Sequence, residues 1–168
     1  RQLAADGLVI EIPNKGVYVK TFTAKDIDEI FDVRLMVEGY AIRRSPQNMT
    51  DGQRAHLMEI LQVLEQTHES GDLDRYVVAD DDLHKQIIQL GGNSLVDDLY
   101  YRVRSMNQQF RIRSLSSHNR FQDSVAEHQD LITALVTGEV ERAIEVNSRH
   151  LALACSCIKE QLAQEETA

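Results

Sequence analysis

Few residues in this chain can interrupt a helix. Prolines number two and glycines eight in 168 residues. That scarcity excludes a sheet protein with many tight turns and favours an all-α domain. No apolar run approaches the roughly 20 residues needed to cross a bilayer, and no signal-peptide pattern is present, so a membrane-spanning helix is not expected. The only cysteines are Cys155 and Cys157. Spaced i,i+2 on a helix, they point to different sides and cannot easily bridge, which suits a reducing, cytoplasmic protein. Positive charge is also short, with a net charge of −9. A domain this acidic is by itself a poor binder of nucleic acid, because phosphate contacts require Lys/Arg patches. The chain has no repeat and no low-complexity segment. Its composition, 42% hydrophobic and 27% charged, is that of one folded domain with its own core.

The exception to the helical pattern is Leu8–Val19. It reads as two short strands around Pro13-Asn14-Lys15-Gly16, a β-hairpin. The preceding "RQLAADG" has the look of a helix ending at Gly7. With no initiator Met and a helix already under way, the chain reads as a larger protein that has lost its front end. From Thr23 onward six helices are expected, over 24–44, 50–69, 73–90, 93–115, 119–137 and 139–164. Ser45-Pro46 is expected to stop the first, because the residue before a proline avoids the α region. Thr50 can cap the second, and Ser70-Gly71 ends it. Gly91-Gly92-Asn93, the polar "SLSSHN" and Gly138 supply the later breaks. The architecture expected is an antiparallel bundle of about six helices after a short hairpin.

The core-facing stripes of three helices carry the wrong residues for a plain core. In the third, Leu73, Tyr76, Val77, Asp80, His84 and Ile87 share a face by the i, i+3, i+4, i+7 rule. In the fifth, Phe121, Val125, His128, Ile132 and Leu135 do so, with His128 central. In the sixth, Ala143, Val146, Asn147, His150, Ala154 and Cys157 do so, with His150 central. Buried alone, such groups cost several kcal/mol each, so they must satisfy one another, water or an ion. One carboxylate and three imidazoles at converging depth suit a divalent transition metal, zinc first and nickel or manganese after it, with a coordination position left open. A buried polar network without metal is the plainer alternative. Asp81 and Asp82 point elsewhere and read as solvated, His56 and His68 sit at stripe edges, and His118 falls in a loop.

Arg34 is a second anomaly. Ile27, Ile30, Phe31, Arg34, Val37 and Ala41 make the stripe of the first helix, so a guanidinium faces the core. It could simply pair with Glu38 one turn on. It could also clamp the carboxylate of a small organic acid beside an open metal. Asn147, one turn before His150, could donate a hydrogen bond to such a ligand.

These residues, in the order Asp80-x3-His84, Gly92-Asn93, Glu127-His128, Gly138-Glu139…Ala143 and Arg149-His150-Leu151, resemble the effector-binding FCD domain of FadR-type GntR transcription regulators. "LAADGLVIEIPNKGVYV" resembles the end of the winged helix-turn-helix and its wing. The resemblance implies two parts: residues 1–20, a remnant of the DNA-binding domain, and residues 21–168, an effector-binding and dimerisation domain. It implies Asp80, His84, His128 and His150 as metal ligands, Arg34 in the pocket, a small carboxylate effector and a homodimer. Operator DNA would be met through an N-terminal domain whose recognition helix is nearly absent here. Leu83 stands where the family commonly has Phe before the first His, a packing change that leaves the ligands intact. A metal-dependent enzyme and a helical interaction module with a structural metal are the alternatives. Against the enzyme stand the lack of an obvious general base by the site and of paired Glu-x-x-His motifs.

Overall fold

The computed structural model describes residues 9–12, 16–19 and 21–166. Strands β1 (Val9–Ile12) and β2 (Gly16–Val19) pair antiparallel, Val9 opposite Val19 and Ile12 opposite Gly16. The hairpin is therefore present. Its turn at 13–15 and the helix read before Gly7 lie outside the described residues.

Six helices follow among the described residues: α1 (Ala24–Asn48), α2 (Asp51–Ser70), α3 (Leu73–Leu90), α4 (Ser94–Leu115), α5 (His118–Thr137) and α6 (Val140–Glu166). Their starts have local causes. Thr23 and Thr50 each close a capping box, with Asp26 and Gln53. Asp72 and Asn93 accept backbone N–H groups at the starts of α3 and α4. Gly71 ends α2 in the left-handed conformation that a Cβ disfavours.

Pro46 does not stop the first helix. Helix α1 runs through it to Asn48. Proline removes the N–H that would bond the Ile42 carbonyl, and Ser45 Oγ donates to that carbonyl instead, at 2.8 Å. Asn48 then donates to Leu90 O at 2.8 Å, tying the extended end to α3. The polar break before α5 is also shorter than expected, and His118 is the first residue of that helix.

Helices α1, α3, α2, α5 and α6 contact one another in a closed ring, and α4 lies against α1, α3, α5 and α6. Two main apolar clusters fill this bundle. One gathers Leu57, Leu64, Leu83, Ile87, Leu131 and Ile132 with Ala41, Ile42 and Val146. The other gathers Ile27, Phe31, Phe110, Leu151, Ala154 and Ile158. On α1 and α6 the buried polar residues between the two sets are Arg34, Glu38, Asn147 and His150. A polar layer therefore crosses the bundle between two apolar ends.

Candidate metal centre

Asp80, His84, His128 and His150 meet in that layer. Each is buried, and one potential ligand atom from each lies within 4.8 Å of the others. Helix α3 supplies Asp80 and His84 one turn apart, α5 supplies His128 and α6 supplies His150. The stripe positions read from the sequence are brought to one point.

What fixes the rings is a set of outer partners. His84 Nδ1 lies 2.9 Å from Glu38 Oε2, and the other oxygen of Glu38 accepts from Arg34 Nε at 2.9 Å. His150 Nδ1 lies 2.8 Å from Glu127 Oε2, which Arg120 also holds at 2.5 Å. His128 Nδ1 lies 3.0 Å from the Tyr76 hydroxyl, itself 2.7 Å from Ser124 Oγ. With Ser124 donating to Phe121 O at 3.0 Å, Tyr76 donates to Ser124 and accepts from His128 Nδ1–H. His84 and His128 thus spend Nδ1 outward and turn Nε2 inward, while His150 Nδ1 lies between Glu127 and Arg120 Nη2, the latter at 3.1 Å. For His84 and His150 this is the carboxylate–histidine pattern that orients metal ligands, with a tyrosine hydroxyl in that place for His128.

The inward atoms fit a cation. His84 Nε2 is buried without a hydrogen-bond partner among the described residues. His128 Nε2 stands 3.0 Å from Asp80 Oδ1 with poor hydrogen-bond alignment, and this close contact helps hold the Asp80 carboxyl down. Two acceptors held side by side in a buried site repel unless a positive ion lies between them. Three imidazole nitrogens and one carboxylate oxygen are the donor set of zinc and its neighbours.

Charge in the layer is balanced before any ion enters. Arg111 Nε donates to Asp80 Oδ2 and its Nη1 donates to Asp81 Oδ1 at 2.8 Å, while Arg104 holds Asp81 Oδ2. Asp81 is therefore buried in an ion-pair network and not solvated, because α4 packs over that side of α3. Asp82 lies further round the helix, 3.3 Å from His56. The guanidiniums of Arg34, Arg104, Arg111 and Arg120 face the carboxylates of Glu38, Asp80, Asp81 and Glu127, and their charges cancel. Burial would push Asp80 up, but Arg111 overrides it and holds the carboxyl well below the usual range. Glu38 behaves likewise through Arg34 and His84. Burial and neighbouring positive groups hold His84 and His150 down, so they stay neutral and able to ligate.

A cavity of about 20 Å3 adjoins the ring, walled by Arg34, Asp80, His84, Arg111, Arg120 and His150 with Phe31 and Phe110 beyond. It has room for about one water. Arg34 Nη2, Arg111 Nη2 and two nitrogens of Arg120 are buried there without partners among the described residues. Arg34 thus does both things its sequence position allowed: it pairs with Glu38 and keeps a free donor at the cavity. Asn147 is buried with an unpartnered Oδ1 but is not among the residues walling the cavity. A roomier cleft of about 630 Å3 lies between α2 and α3, lined by His56 and apart from the ring histidines.

The FCD domain family matches residues 29–153. The gluconate operon transcriptional repressor of Bacillus subtilis (strain 168) is 24% identical over 154 residues, covering 89% of this chain. The chain spans only 63% of that repressor's length. A solved GntR regulator structure from Rhodococcus sp. RHA1 shares the fold with a TM-score of 0.79 at 24% identity, over 94% of this chain and 75% of the other. The Zn2+-bound FCD domain of TM0439 aligns with a TM-score of 0.66 at 25% identity, over 84% of this chain and 98% of that domain. The curated relatives are transcription regulators and not enzymes. This chain belongs to the FCD domain family.

Proposed function

We propose that this chain is the ligand-sensing and dimerising part of a GntR-type transcription regulator that works in the cytoplasm. Asp80, His84, His128 and His150 hold a divalent transition metal, zinc before nickel or manganese. A small organic acid reaches the metal and Arg34 and shifts how a paired protein presents itself to operator DNA. Residues 1–20 are the end of a winged helix-turn-helix, and residues 21–168 form the sensing unit.

The observation that carries this reading is the set of three imidazoles held through Nδ1 by outer partners, with one ligand atom from each and one from Asp80 brought to one point. The zinc-bound relative supports it. A divalent ion would leave the otherwise balanced layer with excess positive charge, and the free guanidinium nitrogens add donors at the same cavity. An anion answers both, and a planar carboxylate suits the fork of an arginine. Asn147 offers a further polar group one turn from His150. The cavity as it stands is too small for such a ligand, so binding requires a second arrangement of the bundle. That requirement is the condition for a ligand to shift an equilibrium between two states.

The test is calorimetry of the zinc-loaded chain against a panel of small carboxylates. A charge-assisted contact to a buried arginine is worth about 1.5–3 kcal/mol, so Arg34→Ala should weaken the best acid by about 10- to 150-fold, measured on protein shown by circular dichroism and metal analysis to be folded and zinc-loaded, since the change also leaves Glu38 without Arg34. Binding of that acid undiminished by Arg34→Ala, or binding of only neutral or cationic compounds, would sink the reading. Sedimentation should find the chain as a dimer at micromolar concentration; a monomer there would remove the dimerising role.

A further inference from the structure

The cavity beside the ring holds about one water, so anything larger that reaches the ring needs a wall that yields. Two outer clefts share wall residues with this cavity. Phe110 of α4 and Ile158 of α6 line both the cavity and a cleft of about 370 Å3 between α4 and α6, where Phe22 and Leu162 also lie. Phe31 of α1 lines both the cavity and a cleft of about 280 Å3 between α1 and α6, where Leu35 and Leu151 also lie. Each shared aromatic ring is thus a partition between the cavity and a cleft.

The two partitions are held differently. The Arg34 guanidinium lies over the Phe31 ring, 5.4 Å from its centroid. Arg34 is in turn tied to Glu38, and Glu38 to His84. Swinging Phe31 would therefore break a charged contact that is part of the polar layer. Phe110 is held by aromatic contacts. Phe31 lies 6.5 Å from it, tilted by 36°, and Phe22 meets it edge-to-face at 5.0 Å and 73°. Phe22 is only partly buried and belongs to residues 21–23, which are non-helical and lead into α1. Side chains on such irregular segments shift at smaller cost than those on a packed helix. Ile158, the other shared wall, is aliphatic and has no polar tie to break.

We infer that Phe110 is the gate of the ring cavity, latched by Phe22, and that metal and ligand pass between the ring and solvent through the cleft between α4 and α6. This rests on the reading of the ring as a metal site. A contact made only while the gate is shut sets how often the gate opens. It does not alter what the ring binds once inside. Weakening the latch therefore raises the rates of entry and exit together and leaves the equilibrium affinity where it was. A residue that merely supported the fold around the ring would lower the affinity instead.

The experiment measures two quantities on the zinc-loaded chain: the rate at which zinc leaves into excess EDTA, and the zinc affinity at equilibrium with a competing chelator. Phe22→Ala removes an edge-to-face aromatic contact. It should speed release about 3- to 10-fold with the affinity within about twofold of wild type. Phe22→Tyr keeps the ring contact and should release zinc within about twofold of the wild-type rate. Phe110→Leu narrows the partition itself and should speed release at least as much as Phe22→Ala. Leu35→Ala, at the other cleft and also partly buried, should leave the rate within about twofold. Faster release in Leu35→Ala than in Phe22→Ala overturns the inference. If Phe22→Ala loses affinity in proportion to its gain in release rate, Phe22 is a support and not a latch. If wild type holds zinc and neither Phe22→Ala nor Phe110→Leu changes its release, the gate alone fails. If wild type holds no zinc, the metal-site reading falls and the gate with it.

Discussion

The apolar clusters and the polar layer between them are built on different terms. Leu57, Leu64, Leu83, Ile87 and Leu131 are packed by area, and each contributes about 1.5–3 kcal/mol by leaving water. They need only the right volume and face. The layer of Asp80, Asp81, Glu38 and Glu127 with its arginines gains little net stability, because desolvation offsets the ion pairing. Its members depend on one another, so removing a single partner strands a buried charge. The clusters hold the bundle together, and the layer is where the proposed metal and ligand would act.

Two substitutions break this comparison most sharply in urea unfolding, with and without zinc. Asp80→Ala takes away a proposed ligand and a buried counter-charge of Arg111. It should cost about 3–5 kcal/mol and also erase whatever stabilisation zinc confers on the wild type. Leu64→Ala, on α2 where no ring residue sits, should cost about 2–5 kcal/mol by leaving a cavity. That loss should be the same in both metal states. A zinc increment that survives Asp80→Ala, or one abolished by Leu64→Ala, would contradict the division between the regions.

The pH response sharpens the comparison by a smaller amount. His84 and His150 have folded-state pKa values held below the ordinary histidine value, first by burial, with Glu38 opposing it at His84 and neighbouring positive groups adding to it at His150. Below about pH 6.5 the unfolded chain takes up protons that the folded chain refuses, so stability falls as pH falls. Each histidine can contribute up to about 1.4 kcal/mol per pH unit in that window. Glu38 and Asp80, held low, lose their contribution only below the ordinary carboxylate range. Metal-free protein should therefore lose thermal midpoint between about pH 6.5 and pH 5, and His84→Gln should flatten the slope. An unchanged midpoint over that interval would rule out neutral buried imidazoles.

The helical period made much of this visible in the sequence. Asp80, His84, His128, His150 and Arg34 stood out because each interrupted an otherwise apolar stripe, and the structure brings the four ring residues to one point. Glu38 was visible as the neighbour of Arg34, but its second oxygen on His84 spans two helices and leaves no local signature. Arg111 was missed for a different reason. Helix α4 alternates buried polar and apolar residues along its inner side, with Tyr100, Asn107, Arg111 and Ser114 among Val103 and Phe110. A search for apolar stripes under-reads such a helix. Its recurrence of polar residues at helical spacing was the available signal. Asp81 was read as solvated because one helix alone cannot say which neighbour covers its second face. Pro46 broke the expected end of α1 because Ser45 supplied the donor that proline lacks.

The central claim is that the ring holds a metal, and metal analysis tests it most directly. Chain incubated with zinc at neutral pH and dialysed should retain close to one ion per chain. His128→Ala and His150→Ala should each lose most of it while remaining folded by circular dichroism. Wild type that retains no zinc, nickel or manganese, or folded variants that retain as much as wild type, would contradict the account.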